Sequence, residues 1–242
     1  MKIGVKIWRV ENDLNELIER AKPDFIETMA IVGEDYSPLK ETGLPVTIHA
    51  EHISFGVNQA DPLLLARNTK SLEFAIRTAD MLDSDVIVLH PGCLVNHNCS
   101  LQAAIDFISG FDDQRILVEN MPAYTAKDGK IFNIGISTEE IVDILDKTKK
   151  GFCLDLAHAA VAAVGSGRDY LKSIESFIGL RPAYYHMSDS TLKSKCGDHV
   201  HLGDGELDVL GIKKMLPDDA RVALETPVDI EVRIKDVEFM RN

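Results

Sequence analysis

The sequence has few of the features that mark membrane, extracellular or nucleic-acid-binding proteins. No apolar run approaches the roughly 20 residues that a membrane-spanning helix needs. The four cysteines form no CxxC pair, which favours reduced thiols in a cytoplasmic protein, although a Cys93–Cys99 bridge stays open for an oxidising setting. Lysine and arginine number 26 against 39 aspartates and glutamates, and the net charge of −13 argues against a broad basic surface for nucleic acid.

The chain also lacks low-complexity segments, linkers and breaks in composition, so residues 1–242 are predicted to form a single domain. Strand-like and helix-like segments alternate about eight times, which is typical of a parallel sheet with helical crossovers. A doubly wound open sheet would have a glycine-rich turn after its first strand. The corresponding segment here, Trp8-Arg9-Val10-Glu11, contains no glycine. The sequence therefore predicts an α/β fold that closes as a (β/α)8 TIM barrel.

Local signals predict where several helices begin. Asn12 is expected to cap the first helix, and Asp61, followed by a proline, is expected to open a long one. Ser100 is a further predicted cap. Ser137, with a glutamate three residues on, forms a predicted capping box.

Six strand-like apolar runs each end in a histidine or a carboxylate, with 29 to 41 residues from one end to the next. Each interval fits one strand–helix unit, and in a barrel the carboxyl ends of all strands meet at one face. We therefore expect these six side chains to converge. They are His49, His90, Glu119, Asp155, His186 and Glu225.

The stretch Gly151–His158 shows the arrangement most clearly. A short apolar run delivers Asp155 at its end, and His158 follows three residues later at the start of an alanine-rich helix. Asp and His at one strand end could ligate a metal or act as an acid/base pair. Alternatively, Asp155 caps the helix and His158 is a satisfied core residue.

Histidine is confined to the same end of the predicted barrel. Imidazoles mixed with carboxylates, without thiolates, suit Zn²⁺, Mn²⁺ or Fe²⁺ better than a structural zinc site, while an extended polar pocket without metal is the alternative. All eight histidines lie at predicted strand ends or in the loops that follow: His49, His52, His90, His97, His158, His186, His199 and His201.

Seven short motifs follow one another between about residues 46 and 227. They are Ile48-His49, Leu89-His90-Pro91-Gly92, Val118-Glu119-Asn120, Leu154-Asp155-Leu156-Ala157-His158, His186-Met187-Ser188-Asp189-Ser190, Leu202-Gly203-Asp204-Gly205 and Leu224-Glu225-Thr226. In order and spacing they resemble the motifs of endonuclease IV (AP endonuclease family 2) and of its wider superfamily, the xylose-isomerase-like TIM barrels.

The resemblance implies two or three divalent metals per chain, zinc before Mn, Fe or Mg. It implies a first metal on His49, His90 and Glu119, and a second on Glu119, Asp155, His186 and Glu225. A third would use His158 and the loop Asp198-His199-Val200-His201. That loop departs from the family pattern of an Asp and a His two apart, so the choice among Asp198, His199 and His201 stays open.

The resemblance leaves two enzymatic functions. The first is hydrolysis of a phosphodiester, with clustered metals that activate water and abasic-site DNA as the first substrate to test. Lys193 or Lys195 could touch a phosphate, or both could be solvated. Trp8 and Arg9 follow the first strand without the family's glycines, and they either pack locally or contact substrate.

The second function is isomerisation or epimerisation of a sugar or sugar phosphate at a single metal. In that case Glu119 and Glu225 exchange protons with carbons beside a carbonyl, and His158 contacts the sugar. A barrel that binds metal or sugar without catalysis is disfavoured, because buried carboxylates need a ligand that offsets their desolvation. His49 and His90 favour hydrolysis, since a single-metal epimerase does not need them as ligands.

Overall fold

Eight parallel strands close into a barrel in a computed structural model that describes residues 1–10 and 13–242. The barrel strands are β1 (Lys2–Ile7), β2 (Phe25–Ala30), β3 (Val46–Ala50), β4 (Ile87–Leu89), β6 (Ile116–Glu119), β8 (Gly151–Asp155), β9 (Tyr184–Met187) and β10 (Arg221–Leu224). Two short strands, β5 (Cys93–Leu94) and β7 (Phe132–Asn133), pair antiparallel outside the barrel. The predicted TIM barrel is confirmed.

Helices cover the outside of the barrel between successive strands. The α-helices are α1 (Leu14–Ala21), α2 (Leu65–Met81), α3 (Leu101–Ser109), α4 (Thr138–Thr148), α5 (Leu156–Gly165), α6 (Tyr170–Ile178), α7 (Val209–Met215) and α8 (Ile230–Arg241). Short 3₁₀ helices span Ser37–Thr42, Ile53–Phe55 and Pro62–Leu64. Among the helices described, none combines the length and apolar character needed to cross a membrane.

Two predicted helix starts, at Ser100 and Ser137, are observed, and the start at Asp61 differs in detail. Ser100 and Ser137 each accept a backbone N–H from three residues ahead, at 3.0 and 3.3 Å. Asp61 accepts the Leu63 N–H at 3.0 Å, but it opens a 3₁₀ turn, and α2 begins only after that turn. The predicted cap at Asn12 lies outside the described residues.

Alternation along the strands divides the barrel into an inner and an outer core, because successive side chains of a strand point to opposite faces. The outer core packs the strands against the helices. The inner core is a small separate cluster that fills the lower part of the barrel: Phe25, Val86, Val88, Leu117, Cys153, Tyr184 and Ala223. The four cysteines are free thiols, and Cys93 and Cys99 are both buried.

Gly4 lets the inner core close over β1. It pairs with Phe25 across the two strands, and a Cβ added to it would lie 2.2 Å from Phe25 Cε2. Phe25 is buried and packs against Tyr184, with ring centroids 5.8 Å apart, so its ring cannot shift without disturbing a neighbour. The absence of a side chain at this position is therefore a packing requirement.

We expect Gly4→Ala to lower the free energy of unfolding by about 1–3 kcal/mol through overpacking. Gly165→Ala is the control, because a Cβ there meets nothing within 4 Å and alanine is favoured in a helix by about 0.5–1 kcal/mol. Urea unfolding of both variants measures the difference. Equal stability of Gly4→Ala and the unmodified chain would contradict the packing argument.

Candidate metal centre

The six strand-end residues predicted to converge lie together at the C-terminal face of the barrel. His49 and His186 lie near the ends of β3 and β9, Glu119 and Asp155 are the last residues of β6 and β8, and His90 and Glu225 directly follow β4 and β10. The four that lie within strands, His49, Glu119, Asp155 and His186, are all fully buried.

His49, His90 and Glu119 form a first donor group. The Nε2 atoms of His49 and His90 lie 3.3 and 3.0 Å from the same oxygen of Glu119, Oε2. One ligand atom from each residue lies within 4.8 Å of the others, a spacing that suits one bound ion.

The protonation of the His49 ring indicates that the first donor group is suited to a bound cation. Its Nδ1 lies 2.7 Å from the carbonyl oxygen of Ala50, which can only accept, so Nδ1 carries the proton. Burial lowers the pKa of His49 and favours the neutral ring. The Nε2 lone pair then faces a carboxylate oxygen, which is favourable only with a cation between them. A ligating histidine characteristically donates its other N–H to a carbonyl in this way.

A second donor group contains Glu119, Asp155, His186 and Glu225, and one ligand atom of each again lies within 4.8 Å of the others. Asp155 and His186 are direct partners in the β8–β9 register. His186 Nδ1 lies 3.1 Å from Glu119 Oε1 and 3.2 Å from Glu225 Oε2. Because Glu119 belongs to both groups, its two oxygens could bridge two ions.

Asp155 combines the two roles that its sequence context allowed. Its Oδ1 accepts the backbone N–H of His158 at 2.6 Å and so caps α5. Its Oδ2 is buried without a hydrogen-bond partner among the described residues. Burial and the neighbouring Glu119 carboxylate raise the pKa of Asp155 to about 7. A bound cation would satisfy the free oxygen, so the residues present fit a metal.

Two charged residues beneath the donor groups were missed by the sequence analysis. Lys6 and Glu27 are direct partners in the β1–β2 register, and both are buried. Lys6 Nζ lies 2.7 Å from Glu225 Oε1 and 3.3 Å from Glu27 Oε1. Glu27 Oε2 lies 2.9 Å from His186 Nε2. Glu27 therefore holds the ring nitrogen of His186 that faces away from the donor group.

Mutual attraction keeps this lower layer charged despite burial. Burial alone would lower the pKa of Lys6, but Glu225 and Glu27 raise it above the ordinary value. Burial would likewise raise the pKa of Glu27, but the neighbouring His186 and Lys6 lower it to about 2. Desolvation also opposes ionisation of Glu119, while the imidazoles of His186 and His90 hold its pKa well below the usual range.

The structure does not bring the predicted third group together. Asp198 turns away to accept the Thr191 hydroxyl at 2.7 Å and to pair with Lys127 at 3.1 Å. His201 contacts Asp236 of α8 instead. His158 and His199 alone meet, with ring centroids 5.3 Å apart. The loop backbone directs the side chains of Asp198 and His201 to these other partners, so they do not reach His158.

A cavity of about 290 Å³ opens above the donor groups. Trp8 lines it and packs on His52 and Phe55, with ring centroids at 6.1 and 6.3 Å. Among the described lining residues, Lys6 is the one lysine or arginine.

The other basic residues considered as substrate contacts lie elsewhere. Arg9, Lys193 and Lys195 are exposed and do not line the cavity. Lys195 lies over the ring of Tyr124, with Nζ 5.7 Å from its centroid. Of the four residues considered as substrate contacts, Trp8 is therefore the one that lines the cavity.

Comparison with known proteins assigns the family. A family model described as xylose isomerase-like TIM barrel matches residues 37–242. The chain belongs to this family. A protein of Halothermothrix orenii named probable endonuclease 4 is 27% identical over 226 residues, with 83% of this chain and 78% of the relative covered.

Two solved structures are similar over the whole chain. Endonuclease IV from Thermus thermophilus superposes with a TM-score of 0.75 at 23% identity, covering 100% of this chain and 98% of that one. A D-tagatose 3-epimerase-like protein superposes with a TM-score of 0.80 at 20% identity, covering 100% and 96%. At these identities the likeness shows the fold alone. The two structures carry the names of different enzymes, one a hydrolase and the other an epimerase.

Glu27 gives a first test of how this family member orients its ligands. We expect Glu27→Gln to weaken metal binding at the second donor group by about 10–100-fold, because His186 loses the carboxylate that fixes its ring. Glu51→Gln is the matched control, since Glu51 is a buried carboxylate that accepts the Val32 N–H. Chelator competition measures both affinities. Equal affinity in the two variants would argue against an orienting role.

Asp155 gives a pH test. Its pKa of about 7 in the folded chain exceeds the ordinary 3.8, so below pH 7 a metal must displace its proton. We expect affinity at the second donor group to fall about tenfold per pH unit below 7. In the metal-free chain the same proton stabilises the fold at low pH, and this contribution is lost as pH rises through 7. Metal affinity that stays constant from pH 8 to pH 5.5 would contradict this assignment.

Proposed function

We propose that this protein is a metal-dependent phosphodiester hydrolase with a dinuclear centre. The observation that carries the proposal is Glu119, whose two oxygens each face a different donor group. The first donor group, His49 with His90 and Glu119, supplies three ligands and leaves further positions open, the arrangement that catalytic zinc prefers. An enzyme that used one ion in the second donor group would have no need of this additional set.

The donor chemistry favours zinc, with Mn²⁺, Fe²⁺ and Mg²⁺ as alternatives, because imidazole and carboxylate ligands occur together without thiolate. A bound pair of such ions would supply Lewis-acid activation of water and of the phosphoryl group. Lys6 contributes a fixed positive charge that holds Glu225 in place from below.

The protein itself shapes the reaction space. Strands β3, β6, β8 and β9 each carry one of the donor side chains. They hold these donors rigidly, because all four strands lie in one closed barrel. His158 donates Nδ1–H toward the carbonyl oxygen of Asn120 at 3.1 Å, which fixes its ring beside Glu119. Trp8 forms one wall of the cavity in which a substrate would bind.

The cavity favours one sugar phosphate unit over a long duplex as the group that enters it. Its volume of about 290 Å³ is at the lower end for ligand pockets, and the net charge of −13 offers little attraction for a polyanion. A phosphodiester whose sugar is turned out of the helix meets this restriction. Abasic-site DNA is thus the first substrate to test, beside small sugar phosphates. The free thiols also fit a cytoplasmic location, which we include in the proposal.

A sugar or sugar phosphate epimerase is the second candidate. The observation that favours it is the second donor group, which by itself offers four ligands for one ion. Glu119 and Glu225 would then exchange protons with carbons beside a carbonyl, and the small cavity suits a monosaccharide. The number of bound ions and the reaction product separate the two candidates.

The double variant His49→Ala with His90→Ala tests the dinuclear proposal. We expect it to lose one of two ions, measured by elemental analysis, and to lose at least about 100-fold in hydrolysis of abasic-site DNA. The second donor group should keep its ion, because none of its four residues is changed. Asp155→Asn is the complementary variant, which should lose the other ion.

A wild-type chain that binds a single ion and interconverts a ketose with its epimer would decide against hydrolysis. Full metal content in the double variant with undiminished hydrolysis would instead contradict the dinuclear centre, because the first donor group would then have no part in the mechanism.

A further inference from the structure

The side chain of Lys6 reaches the cavity from the wall opposite Glu119. Strand order places β1 directly across the closed ring from β6, of which Glu119 is the last residue. Lys6 is the next-to-last residue of β1, and its side chain is 3% exposed. It nevertheless lines the cavity, together with Glu225 and Trp8. A substrate held at the donor groups therefore occupies a space that Lys6 also borders.

The hydrogen-bonding capacity of Lys6 is only partly used by the protein. Its Nζ donates to Glu225 Oε1 at 2.7 Å, and Glu27 Oε1 lies 3.3 Å away as an ion-pair partner. An ammonium group has three N–H donors. Within residues 1–10 and 13–242 no further acceptor contacts Nζ, so at least one N–H is available to an oxygen atom in the cavity.

Stability alone does not account for a lysine at this position. Replacing a buried ion pair by apolar side chains of similar volume is often neutral or stabilising, because desolvation of both charges offsets their attraction. The inner core shows that apolar side chains such as Phe25 and Tyr184 can fill this barrel. A charge that interrupts the apolar pattern of β1 beside a cavity therefore indicates a role toward a ligand.

We propose that Lys6 contacts the substrate and donates an N–H to one of its negatively charged oxygens, which in the hydrolytic reaction is a non-bridging oxygen of the phosphodiester. Among the described residues that line the cavity, Lys6 is the one lysine or arginine. Its ammonium group is oriented by Glu225 and Glu27 before a substrate arrives. A charge that is already in place stabilises negative charge in a reaction without the cost of reorienting it.

The inference rests on the proposed function for the phosphoryl character of the group that Lys6 meets. It requires that a metal hold the substrate beside Lys6, but it does not depend on whether one or two ions are bound. Its failure can therefore be told apart from failure of the dinuclear proposal.

Calorimetric titration of the zinc-loaded protein with two small ligands forms the first part of the test. Inorganic phosphate presents negatively charged oxygens, whereas imidazole is a neutral ligand that needs only an open position on the zinc ion. We expect Lys6→Met to weaken phosphate binding by about 10–100-fold, the effect of losing one hydrogen bond to a charged group. Imidazole binding should stay nearly unchanged, because no metal ligand has been altered.

Lys150→Met is the matched control. Lys150 is the other buried lysine among the described residues, but it directly precedes β8, at the opposite end of the barrel, and does not line the cavity. Its Nζ donates to the backbone carbonyl oxygens of Phe111 and Asp113. We expect this variant to bind phosphate and imidazole as the unmodified chain does, although it also loses a buried ammonium group.

Nitrogen-15 NMR of the lysine side chains tests the same contact in the zinc-loaded chain without any change at Lys6. We expect the two buried ammonium groups, those of Lys6 and Lys150, to exchange hydrogens with water slowly enough to be observed. The signal that disappears in Lys150→Met identifies Lys150, and the remaining one is Lys6. Phosphate should shift the Lys6 signal and leave that of Lys150 in place.

Equal weakening of phosphate and imidazole in Lys6→Met would overturn the inference, because Lys6 would then act only through Glu225 and the bound metal. Unchanged phosphate affinity in that variant, or a Lys6 signal that phosphate does not shift, would overturn it as well. All three results leave the dinuclear proposal intact. A wild-type chain that binds a single ion, and whose Lys6 signal shifts with phosphate, would support the contact and remove the dinuclear proposal.

Discussion

The carboxylate of Glu119 has no contact with solvent, and each of its oxygens lies near two imidazoles from different parts of the chain. Oε2 faces His49 and His90, while Oε1 faces His186 at 3.1 Å and His158 at 3.5 Å. An isolated buried carboxylate would be strongly disfavoured, so this group persists as an anion only because cationic or metal-bound partners surround it. Both donor groups of the candidate metal centre include Glu119.

The interior of the barrel is arranged in layers, and these layers stabilise the buried charge of Glu119. Apolar side chains such as Phe25 and Tyr184 fill the lower interior, Lys6 and Glu27 form a charged layer above them, and the donor groups follow. Each layer comes from alternate residues of the same strands. Lys6 thereby satisfies carboxylates that would otherwise repel one another, and Glu27 gives His186 a second partner. The polar interior is consequently a network in which each member depends on a neighbour.

The repeating features of this chain were predictable, and the individual ones were not. Strand-end residues such as Asp155 and His186 could be found because parallel strands must deliver their ends to one face. Lys6 and Glu27 carried a usable signal, since each is a charged residue within an apolar strand and points inward with the alternation. The sequence held no signal for the direction of the Asp198 side chain, because its hydrogen-bond donors are brought close only by the folded loop. The register between neighbouring strands, and not the composition, determines which of the buried side chains lie next to each other.

The ion pair between Lys6 and Glu225 also constrains the order of events during synthesis. These residues are 219 positions apart, and β1 pairs with β10 to complete the ring. Strand β1 must therefore wait for β10 before the ring can close, and a long-range closure of this kind slows folding. Until β10 emerges, Glu119 and Asp155 lack a stable enclosure and Glu27 lacks part of its counter-charge. A chain synthesised only as far as β9 thus cannot assemble the full set of donors, so complete metal loading must wait until β10 has been made.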